Sequence, residues 1–186
     1  MFERNIFSLV ANSQANNKSD NFRDGKGIAE VVQCIGKPDA NDGPTFIARF
    51  KIVSSESKGD MDPKTKQPIQ PNAPGSRVGW PQKLTKFKSA PGNVKSFFLN
   101  LLGKKESDMT AESFTETMKD AISPKQPARG MLVAYETYQQ ETKSGANKGA
   151  INTYVRFVNV PKEKGNTPEE IKKRREELDK TDPVVD

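Results

Sequence analysis

Aromatic side chains stand close to lysines and arginines at several places in this sequence. The two clearest places are Trp80 with Arg77, Lys83, Lys86 and Lys88, and Tyr154 with Arg156. A planar ring can stack on another planar group, while a lysine or arginine beside it can neutralise a phosphate. This combination indicates a surface that binds a polyanion carrying flat groups.

We therefore predict a nucleic-acid-binding surface built from basic and aromatic residues. The candidates are Arg49, Lys51, Arg77, Trp80, Lys83, Lys86, Lys88, Tyr135, Lys143, Lys148, Tyr154 and Arg156. Tyr154 is the leading candidate for base stacking, because it shares the less apolar face of its segment with Arg156. Tyr135 and Tyr138 are an odd number of positions apart, so a regular strand turns at most one of them towards the ligand. Trp80 fits a stacking platform and a packing position equally well.

The charge of the chain is concentrated in one segment. The 186 residues include 30 Lys and Arg and 24 Asp and Glu, a net charge of +6. Residues 61–105 hold 9 basic residues and 1 acidic residue, a net charge of +8 that exceeds the total. Such a cluster near aromatic residues is typical of a polyanion-binding surface. A solvated, lysine-rich loop is the alternative.

The composition excludes several kinds of active site. The chain has no histidine and a single cysteine, which removes imidazole-based catalysis, disulfide frameworks and thiolate zinc sites. Cys34 lies within a predicted strand and is expected in the core. Asp60-Met61-Asp62 resembles an acidic metal-binding motif but lacks the glycine and distal glutamate of a calcium loop. We predict no catalytic residue, no metal and no cofactor.

The location of the protein is predicted from its apolar segments and its single cysteine. No apolar run approaches the roughly 20 residues that cross a membrane, and residues 1–10 make a poor signal peptide. We expect a soluble, cytoplasmic protein.

Periodic patterns predict five strands, at residues 27–36, 44–53, 76–84, 129–142 and 150–160. In the second, Phe46 and Phe50 fall on one face, and Phe157 of the fifth is also expected in the core. Asn93 is expected to cap a helix that buries Phe97 and Phe98 and stops at Gly103. A second helix is predicted from Thr110 to about residue 122. A third, from Thr167 to about Lys180, has few apolar residues and is expected to be a solvated appendage stabilised by pairs such as Glu170–Arg174.

The order of these elements predicts a mainly β fold. Three strands, a helical segment and two strands make an OB-fold-like five-stranded barrel with a helical insertion between strands 3 and 4, followed by a C-terminal helix. A β-sandwich or another α+β domain stays open. We divide the chain into a flexible arm at 1–26, an OB-fold domain at 27–160 and a helix and tail at 161–186. The domain contains a long loop at 54–75 and the helical segment at 92–123.

Three segments of the domain carry a resemblance to a known family. They are AEVV with GPTFIARFKIV, PGSRVGW with PGNVKSFFLNLLG, and RGMLVAYETYQQETKSGANKGAINTYVRFV. Together they resemble bacteriophage-type single-stranded-DNA-binding proteins with an OB-fold. The resemblance implies a protein of the host cytoplasm that coats single strands during phage DNA replication or recombination. In many such proteins a long acidic C-terminal tail recruits replication or recombination partners. The tail here is only weakly acidic and contains the basic run KKRR.

Binding of single-stranded DNA without sequence preference and without catalysis is thus the leading hypothesis. The residues leave RNA binding and homo-oligomerisation open. The alternative is a non-catalytic protein-interaction or virion structural protein whose basic loop contacts an acidic partner.

Overall fold

The described part of the chain forms a five-stranded antiparallel sheet and three α-helices. The structure is a computed structural model, and it describes residues 21–37, 43–62, 65–86, 88–141, 143, 148–149 and 151–184. The strands are β1 (Lys26–Lys37), β2 (Thr45–Glu56), β3 (Arg77–Lys83), β4 (Leu132–Glu141) and β5 (Ile151–Val158). The helices are α1 (Ala90–Leu102), α2 (Ala111–Ala121) and α3 (Pro168–Thr181). Short 3-10 turns span Glu106–Asp108 and Lys162–Lys164. The predicted β-rich composition and element order are confirmed.

The sheet is open, whereas the sequence predicted a barrel. The strand order is β3-β2-β1-β4-β5, with β3 and β5 at the two edges. No hydrogen-bonded ladder joins these two edges among the described residues. They approach each other through side chains, since the rings of Trp80 on β3 and Phe157 on β5 are 4.9 Å apart. Pro81 lies in β3 and has no N–H to offer to a further strand, which is a physical reason for an unpaired edge.

Alternation along β2 places its apolar residues on one side of the sheet. Phe46, Ala48, Phe50 and Ile52 are buried, while the residues between them are partly exposed. The central strand β1 differs, because residues 29–34 are buried on both faces. Two register shifts against β2 lie within β1 and bend the strand.

Aromatic rings fill the side of the sheet on which α1 packs. Phe97 of α1 lies 5.8 Å from Phe50 and 5.0 Å from Phe157, and all three are buried. Phe46 and Phe98 are also in this core, as predicted. The expected cap of α1 was wrong, because the helix begins at Ala90 with Ser89 as N-cap. Pro91 explains the earlier start, since its fixed φ suits the first helical turn.

The segment before β1 belongs to the domain rather than to a flexible arm. Phe22 is buried, with its ring 4.8 Å from Tyr135 and 5.4 Å from Phe50. Asp24 is also buried, and the Gly25 amide donates to Thr137 Oγ1 at 2.7 Å. The predicted arm was therefore wrong for residues 21–26, while residues 1–20 lie outside the described part.

Helix α3 is docked on the domain, which corrects the prediction of a solvated appendage. Its predicted N-cap is confirmed, since Thr167 and Glu170 form a capping box. Leu178 is only 1% exposed. Arg174 Nε donates to the Gly130 carbonyl at 2.6 Å, and Arg175 Nε donates to the Arg129 carbonyl at 2.7 Å. The sequence of α3 lacks a continuous apolar stripe, and these hydrogen bonds from arginine side chains to backbone carbonyls help to hold the helix in its place.

No helix in the described ranges combines the length and apolar character that crossing a bilayer requires.

Candidate nucleic-acid interface

A cavity of about 410 Å³ occupies the gap between the two edge strands β3 and β5. We call it the edge cavity. Residues 79–83 of β3 form one wall, and residues 153–155 of β5 with Tyr138 of β4 form the other. Ser89 and Asn93, at the start of α1, and Asn21 and Phe22, before β1, complete the lining.

Trp80 forms part of the wall and part of the core at once. It is 8% exposed, and its ring packs edge-on against Phe157 at 4.9 Å and tilted against Phe97 at 5.5 Å. The sequence left open whether Trp80 is a stacking platform or a packing residue, and in the structure Trp80 is mainly a packing residue. The remaining exposed edge of the indole lines the edge cavity.

Two tyrosines stack on each other at the opposite wall. Tyr138 and Tyr154 are directly paired across β4 and β5, with ring centroids 5.6 Å apart and planes inclined by 20°. They are 46% and 43% exposed. Each ring therefore keeps a face or edge that a ligand can reach.

Tyr135 is a core residue and not part of this surface. It is 2% exposed, and burial raises the pKa of its hydroxyl. The odd spacing from Tyr138 had predicted that only one of the two faces outward, and the structure turns Tyr138 outward. Of the two tyrosines, Tyr138 rather than the predicted Tyr135 lines the edge cavity. The sequence holds one signal for Tyr138: a hairpin of β4 and β5 that is symmetric about residues 145–147 places Tyr138 opposite Tyr154.

Lysines follow the edge cavity at its β3 side. Lys83 lines the cavity, and Lys86 and Lys88 are exposed in the connection to α1. At the other side, Lys143 and Lys148 are exposed in the β4–β5 connection, most of which lies outside the described part. The positive charge of such exposed lysines attracts phosphate groups.

Arg156 has a partner within the sheet. Its NH2 group donates to Glu136 Oε2 at 3.2 Å, and both side chains are substantially exposed. Exposed pairs of this kind contribute about 0–1 kcal/mol. A phosphate can therefore compete for this guanidinium at little cost.

Three other predicted residues do not line the edge cavity. Arg49 is half-buried, donates to Gln33 Oε1 at 3.3 Å and has its pKa lowered by burial. Lys51 stands between Glu30 and Arg77 in the strand register. The Nε of Arg77 donates to Asp182 Oδ1 at 2.8 Å. The predicted surface thus divides into a group around the edge cavity and a group beside the C-terminal segment.

The described residues contain no group of three or more His, Cys, Asp and Glu side chains that could hold a metal ion. Burial raises the pKa of Cys34 to about 12, so its thiol stays protonated and is a poor nucleophile. The chemistry available at the edge cavity is stacking, hydrogen bonding and charge neutralisation.

Comparison with known proteins assigns no family to the chain. No known family model and no curated protein sequence matches it. Function is therefore inferred from the residues around the edge cavity.

Proposed function

We propose that this protein binds single-stranded DNA at the edge cavity, without sequence preference and without catalysis. The observation that carries the proposal is the cavity itself, which Trp80, the Tyr138–Tyr154 pair and Lys83 line together. Bases in a duplex are stacked on one another and hide their faces. Only an unpaired base can present a ring face to these aromatic groups.

The surrounding charge supports a path for the sugar–phosphate backbone. Lys83, Lys86 and Lys88 extend from the β3 wall, while Lys143 and Lys148 lie beyond the tyrosine pair. A strand that passes from one set to the other crosses the aromatic walls. Affinity would then come from phosphate neutralisation and stacking, neither of which depends on base identity.

The architecture supports the OB-like interpretation of this site. Five antiparallel strands with a helix between the third and fourth match the element order of an OB-fold. The resemblance of residues 27–160 to phage single-stranded-DNA-binding proteins supports a role in DNA replication or recombination. The tail after α3 would be the part that contacts other replication or recombination proteins.

The single tryptophan of the chain makes a direct test practicable. Trp80 lines the edge cavity, so its fluorescence should change when an oligothymidine of about 16 nucleotides fills the site. The same titration with a duplex and with an RNA of equal length, at one salt concentration, measures preference. We expect the single strand to bind more tightly than the duplex, and the logarithm of its affinity to fall linearly with the logarithm of salt.

Three outcomes would contradict the proposal in different ways. Absence of salt-dependent binding at micromolar protein removes the nucleic-acid function. A stable oligomer or a co-purified protein partner in that case favours the protein-interaction alternative. Tighter binding of RNA than of DNA would retain the site and change its substrate.

A further inference from the structure

Two carboxamide side chains contact each other in the lining of the edge cavity. Gln82 belongs to β3, and Asn93 lies near the start of α1. The Nδ2 group of Asn93 donates to Gln82 Oε1 at 3.1 Å, which joins the helix to the strand. Gln82 Nε2 donates in turn to the Pro81 carbonyl at 2.9 Å. A chain of hydrogen bonds that ends on the backbone therefore sets the orientation of both amides.

These hydrogen bonds leave part of the Asn93 amide available to a ligand. A carboxamide offers two N–H donors and an oxygen that accepts. Asn93 uses one of its N–H donors on Gln82, and its Oδ1 accepts no hydrogen bond from the described residues. The side chain is also exposed. A ligand in the edge cavity can thus reach a donor and an acceptor that stand side by side on one amide.

A donor beside an acceptor is complementary to the Watson–Crick edge of every unpaired base. Adenine and cytosine present an amino group next to a ring nitrogen that accepts a hydrogen bond. Guanine and thymine present a ring N–H next to a carbonyl oxygen. A carboxamide can pair with either arrangement, so this contact requires no particular sequence. In a duplex the partner base occupies the same edge, so only a single strand can offer it.

The edge cavity combines this amide with aromatic side chains. Trp80, Tyr138 and Tyr154 are in the same lining, and the volume of about 410 Å³ lies within the ~300–1,000 Å³ of pockets that bind small organic molecules. Stacking alone accepts any flat group. A hydrogen bond to the edge of the ring adds the requirement that the group is a base whose Watson–Crick edge is free.

We propose that Asn93, held in place by Gln82, hydrogen-bonds the Watson–Crick edge of an unpaired base in the edge cavity and thereby favours single strands over duplex. This contact rests on the proposed function, because it belongs to the same site. Asn93 is the residue that touches the base. Gln82 is a positioning residue, since it acts through the Asn93 amide.

The test compares an oligothymidine with the same oligonucleotide methylated at N3 of every thymine. The methyl group replaces the N–H donor of the thymine Watson–Crick edge and leaves the phosphates and the flat ring in place. Both affinities are measured by fluorescence polarisation at one salt concentration. Because one hydrogen bond is lost, the wild type should bind the methylated strand about 2-fold to about 10-fold more weakly.

The decisive variant combines Asn93→Ala with Gln82→Ala. Asn93→Ala alone would free Gln82 Oε1 to contact the base, so both amides must be removed. The two oligonucleotides should then bind with equal affinity. Asn100→Ala is the matched control, because Asn100 is a carboxamide of the same helix that donates to the Ser96 carbonyl at 2.8 Å and does not line the edge cavity. It should retain the wild-type difference. Asn93 is exposed and alanine favours a helix, so the double variant is expected to fold.

The possible failures of the base-edge contact and of the proposed function are distinct. Equal affinities of the wild type for the two oligonucleotides would overturn the contact and leave the proposed function standing, because the unmodified strand still binds. A difference that persists in the double variant would also overturn the contact, since other parts of the protein would then exclude the methyl group. Failure of the unmodified oligothymidine to bind the wild type would contradict the proposed function and the contact together.

Discussion

Replacing Tyr154 by alanine tests the proposed site at one of its two exposed tyrosines. Stacking of one base on an aromatic side chain contributes about 1–3 kcal/mol, which corresponds to about 5-fold to about 150-fold in affinity. One face of Tyr154 is already occupied by Tyr138 at 5.6 Å. A base can therefore use only the other face, and removal of Tyr154 uncovers a face of Tyr138 that can accept the base instead. We expect a loss at the lower end, about 5-fold to about 10-fold.

This compensation makes the double variant more informative than either single one. With both tyrosines removed no ring remains at this wall, so the loss should approach the upper part of the stacking range. The effect of Tyr138→Ala should consequently be larger in the Tyr154→Ala background than in the wild type. A double-mutant cycle measures this non-additivity directly.

The assay is fluorescence polarisation with a labelled oligothymidine at one salt concentration. Val158→Ala is the matched control, because Val158 lies on the same face of β5 and has the same 43% exposure as Tyr154. The tyrosine pair spans two strands, so its removal should lower stability by only about 0.2–1 kcal/mol, and melting curves will show whether the fold is retained. Unchanged affinity in the double variant would refute the stacking role, as would an equal loss in Val158→Ala.

Two further predictions concern the C-terminal helix and the cationic wall. Leu178→Ala should lower the free energy of unfolding by about 2–5 kcal/mol in denaturant titrations, because the side chain is fully buried. The control, Glu176→Ala on the exposed side of α3, should change the free energy of unfolding little. A loss below about 1 kcal/mol in Leu178→Ala would mean that α3 is not docked. Lys83→Ala should reduce the slope of log affinity against log salt by about 0.7, the value for one phosphate of a single strand, and Lys173→Ala on α3 should leave it unchanged. Equal slopes for the two lysine variants would place the phosphate path elsewhere.

The strands and the core were predictable because they depend on local alternation. Phe46, Phe50 and Phe157 fall on faces that a period of two identifies without knowledge of the partners. The docking of α3 depends instead on contacts between distant residues. Arg174 and Arg175 look like solvated charges in the sequence, and only the fold brings them to the carbonyls of Gly130 and Arg129.

The candidate site was only partly predictable, because it too depends on contacts between residues that are distant in the sequence. Net charge along a segment does not reveal which group each cation contacts. Arg77 and Lys83 share one face of β3, yet Arg77 at one end of the strand contacts Asp182, while Lys83 at the other end lines the edge cavity. The choice between Tyr135 and Tyr138 required the register with β1, in which Tyr135 stands opposite Gly27 and faces the core.

The open edge of the sheet is what makes a binding site of this kind available. If β3 and β5 were joined by a ladder, the gap between them would close and the parts of Trp80 and Tyr154 that line it would be covered. Pro81 lies in the wall of that gap and cannot donate to such a ladder. The core nevertheless stays shielded, because Trp80 reaches across to Phe157 beneath the cavity. A single indole therefore seals the aromatic core on one side and presents an edge to the ligand on the other, so filling the cavity should be sensed by its fluorescence even when the strands do not move.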